Sequence, residues 1–399
     1  MAPTAILGDR SLFPTLEPTA YLNHAAISPP SSVVQDAVAD CLRHYTAQGM
    51  GAFMTYLEQR EGLRSSLASL VGAHADEIGF APNTSWGVVF AAMSFPWERG
   101  DGVVLLDGEF PTNVTPWQQA ASLYGLELHR IPAADFGSPD PGKGLAQLDA
   151  AFKAGAKLVA VSAVQFQTGL RMPLMAMSAL ARRHGASVFV DAIQACGVVP
   201  LDFERLGVDL AACGSHKWMM GLEGAGFVYV RRALGPELRP RLAAWLGHRD
   251  GLGFLFDGPG HLRYDRPLKT DASVIETGAS NTLGFAALGA SLSLIQSLGV
   301  EAIYDHVQAY HDALEPRLTA LGLTSLRSPS PGERSGVLAF DVPEAFAPTE
   351  LPAKLAARGI SASLPDGRLR FSPHWPNALA EVDRVADAVR EAIAEATAG

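Results

Sequence analysis

The sequence predicts an α/β protein built on a mostly parallel sheet. Strand-like and helix-like segments alternate from about residue 65 to 235. The strand-like segments are continuous apolar runs, as expected for strands covered on both faces. Glycines stand where the helical segments should stop.

The elements follow in order. Residues 82–93 (PNTSWGVVFAAM) read as a helix that begins with good N-caps. Val103–Leu106 is a buried strand, and Trp117–Tyr124 has helical period and ends before Gly125. Leu158–Val161 is a second buried strand, placed after Gly155. Pro173–His184 reads as a helix closed by Gly185, with Val188–Val190 as the next strand. Asp209–Cys213 is a further short apolar strand. Residues 247–275, rich in Gly, Asp and Arg, then break the rhythm and read as a long loop. Beyond them, helical stretches at 282–322 and 378–396 flank short strands at 336–341, 360–363 and 368–372. That pattern suits a smaller α+β unit. The expected division is a large ligand-binding domain over 21–255 and a small domain over 256–399, joined by residues 1–20.

Composition narrows the function classes. A chain of 399 residues, 48% hydrophobic and 18% charged, can bury a large core and is not a disordered chain. No apolar run is long enough to span a membrane, and no secretory signal opens the chain. The net charge of −10, with no basic patch, argues against nucleic acid or an anionic membrane as partner. Cys41, Cys196 and Cys213 form no CxxC pair and read as packed thiols of a cytoplasmic protein. The histidines show no metal-binding spacing, so no metal site is expected.

The chemistry gathers around CGSHKWMMG, residues 213–221. Lys217 follows a buried strand in a Gly-bounded apolar loop. Desolvation lowers an amine pKa, and a neutral amine can form a Schiff base with an aldehyde. Asp191 ends the strand in VFVDAIQACG. A carboxylate at a buried strand end is costly unless it meets a cation or a donor, and ligands bind at that edge of an open α/β sheet. An amine for an aldehyde and a carboxylate for a pyridinium together describe pyridoxal 5'-phosphate (PLP) held at both ends. Thr84 and Ser85, at a helix start, offer hydroxyls and free N–H groups to an anion. Ser215 and His216 could add donors.

The chain resembles the class V aminotransferase-fold PLP enzymes, the group of cysteine desulfurases, kynureninases and isopenicillin N epimerases. The resemblance runs in order through YLNHAAISP (21–29), NTSWG (83–87), EFPTNVTPW (109–117), QTG (167–169), VDAIQACG (190–197), GSHKW (214–218), ETGASN (276–281) and RFSPHWPN (370–377). It implies fold type I, with a mostly parallel seven-stranded sheet and a smaller α+β C-terminal domain. It implies that Lys217 is the internal aldimine lysine, that Asp191 pairs with the pyridine nitrogen, and that Gln194 bonds the phenolic oxygen. Phe110 takes the place of the stacking aromatic. Thr84, Ser85, Ser215 and His216 would hold the phosphate. Arg370 resembles the arginine that binds the substrate carboxylate, a task suited to a guanidinium fork. His24 and His374 stand as substrate-pocket candidates, with His248, Arg249 and Asp250 as a further loop that could face the site.

The departures bear on the reaction. Gly214 stands where many relatives carry Ser. Ala279 replaces the Thr that often reaches the neighbouring subunit's phosphate, leaving Ser280 for that contact in a homodimer with shared sites. ISASLPDGRLR (360–370) lacks the nucleophilic Cys of desulfurases. The expected activity is therefore an aminotransferase acting on an amino acid. The alternatives are a PLP-dependent C–S (beta) lyase or epimerase, and a non-catalytic PLP-binding protein.

Overall fold

The computed structural model describes residues 4–398; residues 1–3 and 399, the outer ends of the expected N-terminal segment and small domain, lie outside the described residues. Its strands are β1 Ala20–Tyr21, β2 Ile78–Ala81, β3 Gly102–Asp107, β4 Glu127–Pro132, β5 Ala156–Ser162, β6 Ser187–Asp191, β7 Leu210–Gly214, β8 Gly226–Val230, β9 Thr324–Ser325, β10 Leu338–Asp341, β11 Ile360–Ser361 and β12 Leu369–Phe371. Seven of them form one sheet in the order β2-β8-β7-β6-β5-β3-β4. Neighbours run parallel except at β8, which is antiparallel to β2 and β7.

The apolar runs became strands because both faces are covered. Val104, Leu106, Val159, Val161, Val188 and Val190 enter one core, whereas Val103, Leu105, Leu158, Ala160 and Phe189 enter the other. This alternation is the period-2 signature of a strand. The sheet order reverses between β3 and β5, since the chain goes from β3 outward to β4 and then returns to β5 on the other side. Such a reversal opens a crevice at the carboxyl ends of the strands.

The smaller unit departs from expectation in detail. The helical stretch 282–322 is two helices, Thr282–Leu298 and Val300–Ala320, bent by 77° at Gly299, whose φ of 82° favours glycine. The first packs Phe285, Leu288 and Leu292 into the core of the large sheet. The second carries Ile303 and Val307 to that core and Tyr310, Leu314 and Leu318 to a separate one. Of the strand expected at 360–363, only Ile360–Ser361 forms, and it pairs with β1. β12, β10 and β9 form a three-stranded sheet. On β12, Leu369 and Phe371 enter the small core. Alternation therefore turns Arg370 to the opposite face.

Candidate active site

Lys217 stands on the turn after β7. The turn closes with Met220 N–H donating to the Lys217 carbonyl (2.9 Å) and puts Met220 at a φ of 53°. Side chains far away in sequence hold it. Ser28 Oγ donates to the Lys217 carbonyl (2.6 Å), so Ser28 is left to accept from His24 Nδ1 (2.7 Å). His374 Nδ1 accepts from Trp375 N–H (2.7 Å), which leaves Nε2–H to donate to the Trp218 carbonyl (2.8 Å). Trp218 Nε1 donates to Gln194 Oε1 (2.9 Å), and Gln194 Nε2 donates to the Ala25 carbonyl (3.0 Å). Gly197 allows the close approach: a Cβ there would lie 2.3 Å from the Trp218 carbonyl oxygen.

His24 and His374, expected on the substrate pocket, are 1% and 0% exposed. Burial keeps both neutral, with His24 well below the usual imidazole range and His374 down to about 4. They brace the lysine turn from beneath instead of lining an open surface. His248 bonds the Arg266 carbonyl, Arg249 N–H donates to the Pro267 carbonyl, and Asp250 pairs with Arg266. The His248 and Asp250 side chains are thus engaged within their own segment, and Arg249 is exposed.

Asp191 and Arg370 are buried, and Lys217 is half-buried. Burial lowers Lys217 to about 8, partly offset by Asp191. Burial raises Asp191, at the end of β6, to about 6, against an N–H bond from Ile193 (3.0 Å) and the pull of Lys217. Arg370 is 4% exposed and is lowered to about 10 by burial. Its NH1 donates to the Phe166 carbonyl (2.8 Å) and its Nε to Ser363 Oγ (3.2 Å). Among the described residues, none of the three has a salt-bridge partner. A buried charge without a counter-charge is costly unless a ligand supplies one.

Thr84 and Ser85 open the helix Thr84–Ser94, capped by Asn83. Thr84 Oγ1 accepts from Gly214 N–H (2.9 Å), so its own hydrogen is available to an anion. Ser85 Oγ pairs with Thr112 Oγ1 (2.9 Å). Ser215 is committed elsewhere, with its Oγ donating to the Leu222 carbonyl (2.5 Å). His216 is half-buried, and burial lowers its pKa. The Phe110 ring centre lies 5.8 Å from Lys217 Nζ, and Phe110 meets Phe166 edge-on at 5.4 Å. Ser280 bonds the Arg60 guanidinium and lines an apolar groove whose walls do not include Lys217.

Sequence reasoning missed Ser28, Glu109, Phe166 and the tie from Gln167 Nε2 to Asp366 Oδ2 (2.6 Å). Glu109 had a visible signal, a carboxylate just past a buried strand in the same motif as Phe110. The others join distant segments and leave no local mark.

The donor set fits PLP. Lys217 offers an amine to an aldehyde, Asp191 an anion to a ring nitrogen, and the Thr84 helix start a phosphate seat. Phe110 is 48% exposed above the lysine and offers a ring face. Known proteins agree. The family model for aminotransferase class-V matches residues 20–368. The uncharacterized aminotransferase YcbU of Bacillus subtilis (strain 168) is 28% identical over 95% of this chain and 96% of its own. The cysteine desulfurase of Serratia proteamaculans (strain 568) is 32% identical over 84% of this chain and 82% of its own. Among solved structures, the cystine C–S lyase C-DES in complex with cysteine persulfide superposes with a TM-score of 0.83 at 23% identity, over 93% of this chain and 97% of that one. The chain therefore belongs to the class V aminotransferase family of fold type I enzymes, and its cofactor is pyridoxal 5'-phosphate.

Proposed function

We propose that the protein is an aminotransferase that takes an α-amino acid as substrate. The observation that carries this is Arg370, a buried guanidinium that faces the site with no acidic partner among the described residues. A rigid fork in that state suits an α-carboxylate. The bound cofactor supplies an aldehyde carbon for the substrate amine and a ring that withdraws electrons from Cα. The residues do the rest. Asp191 holds the charge of the ring nitrogen. Phe110 covers a ring face and keeps water off it. Lys217, with its amine free, would take the proton from the substrate Cα and hold it at Nζ for return. Its pKa of about 8 suits proton transfer close to neutral pH. Thr84, Ser85 and the N–H groups of their helix seat the phosphate.

A PLP-dependent C–S lyase is the second reading, favoured by the 32% identical cysteine desulfurase. Against persulfide transfer stands the absence of cysteine from residues 360–370. Cys196 and Cys213 are 2% and 1% exposed, and burial pushes the Cys213 thiol well up, away from the reactive thiolate. The test is a panel of amino acids, each given with a 2-oxo acid. The reading expects new keto acid and new amino acid in equal amounts. Sulfide, or pyruvate with ammonia, as the sole products would favour the lyase.

The working unit in this reading is a homodimer. In support, Met50, Met54, Leu255 and Phe256 are 61%, 46%, 60% and 50% exposed. They stand in or beside an apolar groove of about 760 Å³, whose wall also carries Gly278, Ala279 and Ser280. Ser280, with Arg60, would then face the partner's phosphate. The cytoplasmic assignment rests on three free, buried cysteines.

A further inference from the structure

We propose that Glu109 is a positioning residue that fixes Phe110 over Lys217 by bridging the gap between β3 and β5. The inference rests on the PLP reading of the site and adds a residue to it. β3 and β5 pair from Gly102 to Leu105, and β3 ends at Asp107. The chain then turns away at Gly108, whose φ is 95°. The edge of β5 facing that departure would lose its partner. Glu109 replaces it: Oε1 accepts from Ser162 N–H (2.6 Å), and Oε2 accepts from the Ser162 hydroxyl. A side-chain carboxylate thus stands in for the missing strand carbonyl at the point where the sheet order reverses.

Two further ties hold the same turn. Gln165 Nε2 donates to the Gly108 carbonyl (2.6 Å), and Thr112 pairs with Ser85 at the phosphate-seating helix (2.9 Å). Phe110 lies between these anchors. Across the sheet, Ser162 is in register with Asp191. One carboxylate therefore links the residue over the ring face to the strand pair that carries the ring-nitrogen partner. Burial raises Glu109 to about 7, against the Ser162 bonds and with a push from the Asp191 charge. In an amide one oxygen still accepts from Ser162 N–H, and the NH2 that replaces the second oxygen donates to the Ser162 hydroxyl oxygen in place of accepting from it. Reach decides the function, and charge does not.

Reach and charge give opposite rankings of two variants. Glu109→Gln keeps the length and loses the charge; Glu109→Asp keeps the charge and is one methylene short. In the PLP-loaded protein, we expect Glu109→Gln to keep kcat and the visible circular dichroism of the cofactor within about threefold of wild type. Glu109→Asp should lose about tenfold or more in kcat and at least half of that dichroism. Hydrogen exchange in the cofactor-free protein gives a second readout: the Ser162 amide should exchange at least tenfold faster in Glu109→Asp and at the wild-type rate in Glu109→Gln. Equal behaviour of the two variants, or the reverse ranking, overturns the proposal. A wild-type protein that binds no PLP would instead defeat the functional reading, and the exchange experiment would still judge Glu109.

Discussion

Arg370, Asp191 and Lys217 share a condition that folded proteins avoid, a charge buried (Arg370, Asp191) or half-buried (Lys217) with no ion-pair partner among the described residues. Folding alone does not repay that cost, which is why these residues read as a ligand-binding set. Asp191→Asn removes the charge with little change of shape. Its kcat should fall at least ~100-fold, about 3 kcal/mol of barrier, while the cofactor stays bound; wild-type turnover would show that Asp191 does not serve the ring. Arg370→Lys keeps a cation and loses the fork. Because a hydrogen bond to a charged group is worth about 1.5–3 kcal/mol, KM for the amino acid should rise ~10- to 100-fold, with a smaller change in kcat. Steady-state kinetics on the preferred substrate checks this. Gly197→Ala drives a Cβ into the Trp218 carbonyl, so its damage should appear at Lys217, as a weaker cofactor band in a protein of unchanged far-ultraviolet spectrum.

At the scale of elements, the lysine turn is a product of several chain segments. Its position depends on His24 and Ser28 from the N-terminal part, Gln194 after β6 and His374 beyond β12. The ionisable groups around it couple stability to pH. Asp191 and Glu109 have folded pKa values of about 6 and about 7, above the ordinary carboxylate range. Between about pH 4 and 7 the buried neutral His24 and His374 hold fewer protons in the cofactor-free folded protein than in the unfolded chain, whereas these two carboxyls hold more. The stability linked to the two carboxyls is complete at the acid end and is lost as pH rises through that window. Lys217 acts the other way: lowered to about 8, it adds stability as pH rises from there toward 10.5, the usual lysine value. As pH rises from about 4 to 7, the urea midpoint of Glu109→Gln/Asp191→Asn should rise relative to that of wild type at the same pH. An unchanged slope in that variant would contradict the assignment of the buried carboxylates.

The same elements show what a sequence discloses. The apolar runs of β3, β5 and β6 were legible because a strand covered on both faces has no alternative composition. Lys217, Asp191 and Arg370 were legible because each charge sits inside such a run or directly after one. The ties between segments were not legible. Ser28 and Lys217 are 189 residues apart, and Glu109 and Ser162 are 53 apart; nothing local marks either pair. The break at Gly299 was missed because helical period continues on both sides of it. The bracing role of His24 was missed because a buried neutral histidine and a pocket histidine look alike in sequence.

The whole molecule joins a site at the carboxyl edge of a seven-stranded sheet to an arginine on a separate three-stranded one. In solution, light scattering should give twice the 42.2 kDa chain mass; the single-chain mass at working concentration would contradict the dimer. With L-cysteine and no oxo acid, the protein should form no stoichiometric alanine and no persulfide on Cys196 or Cys213. Finding both would place it with the desulfurases. The most direct test of the central claim, that Lys217 is the covalent anchor around which the other groups are arranged, is borohydride reduction of the PLP-loaded protein followed by peptide mapping. The reduced cofactor is predicted on Lys217 alone, and its recovery on Lys153 or Lys269 would contradict the claim.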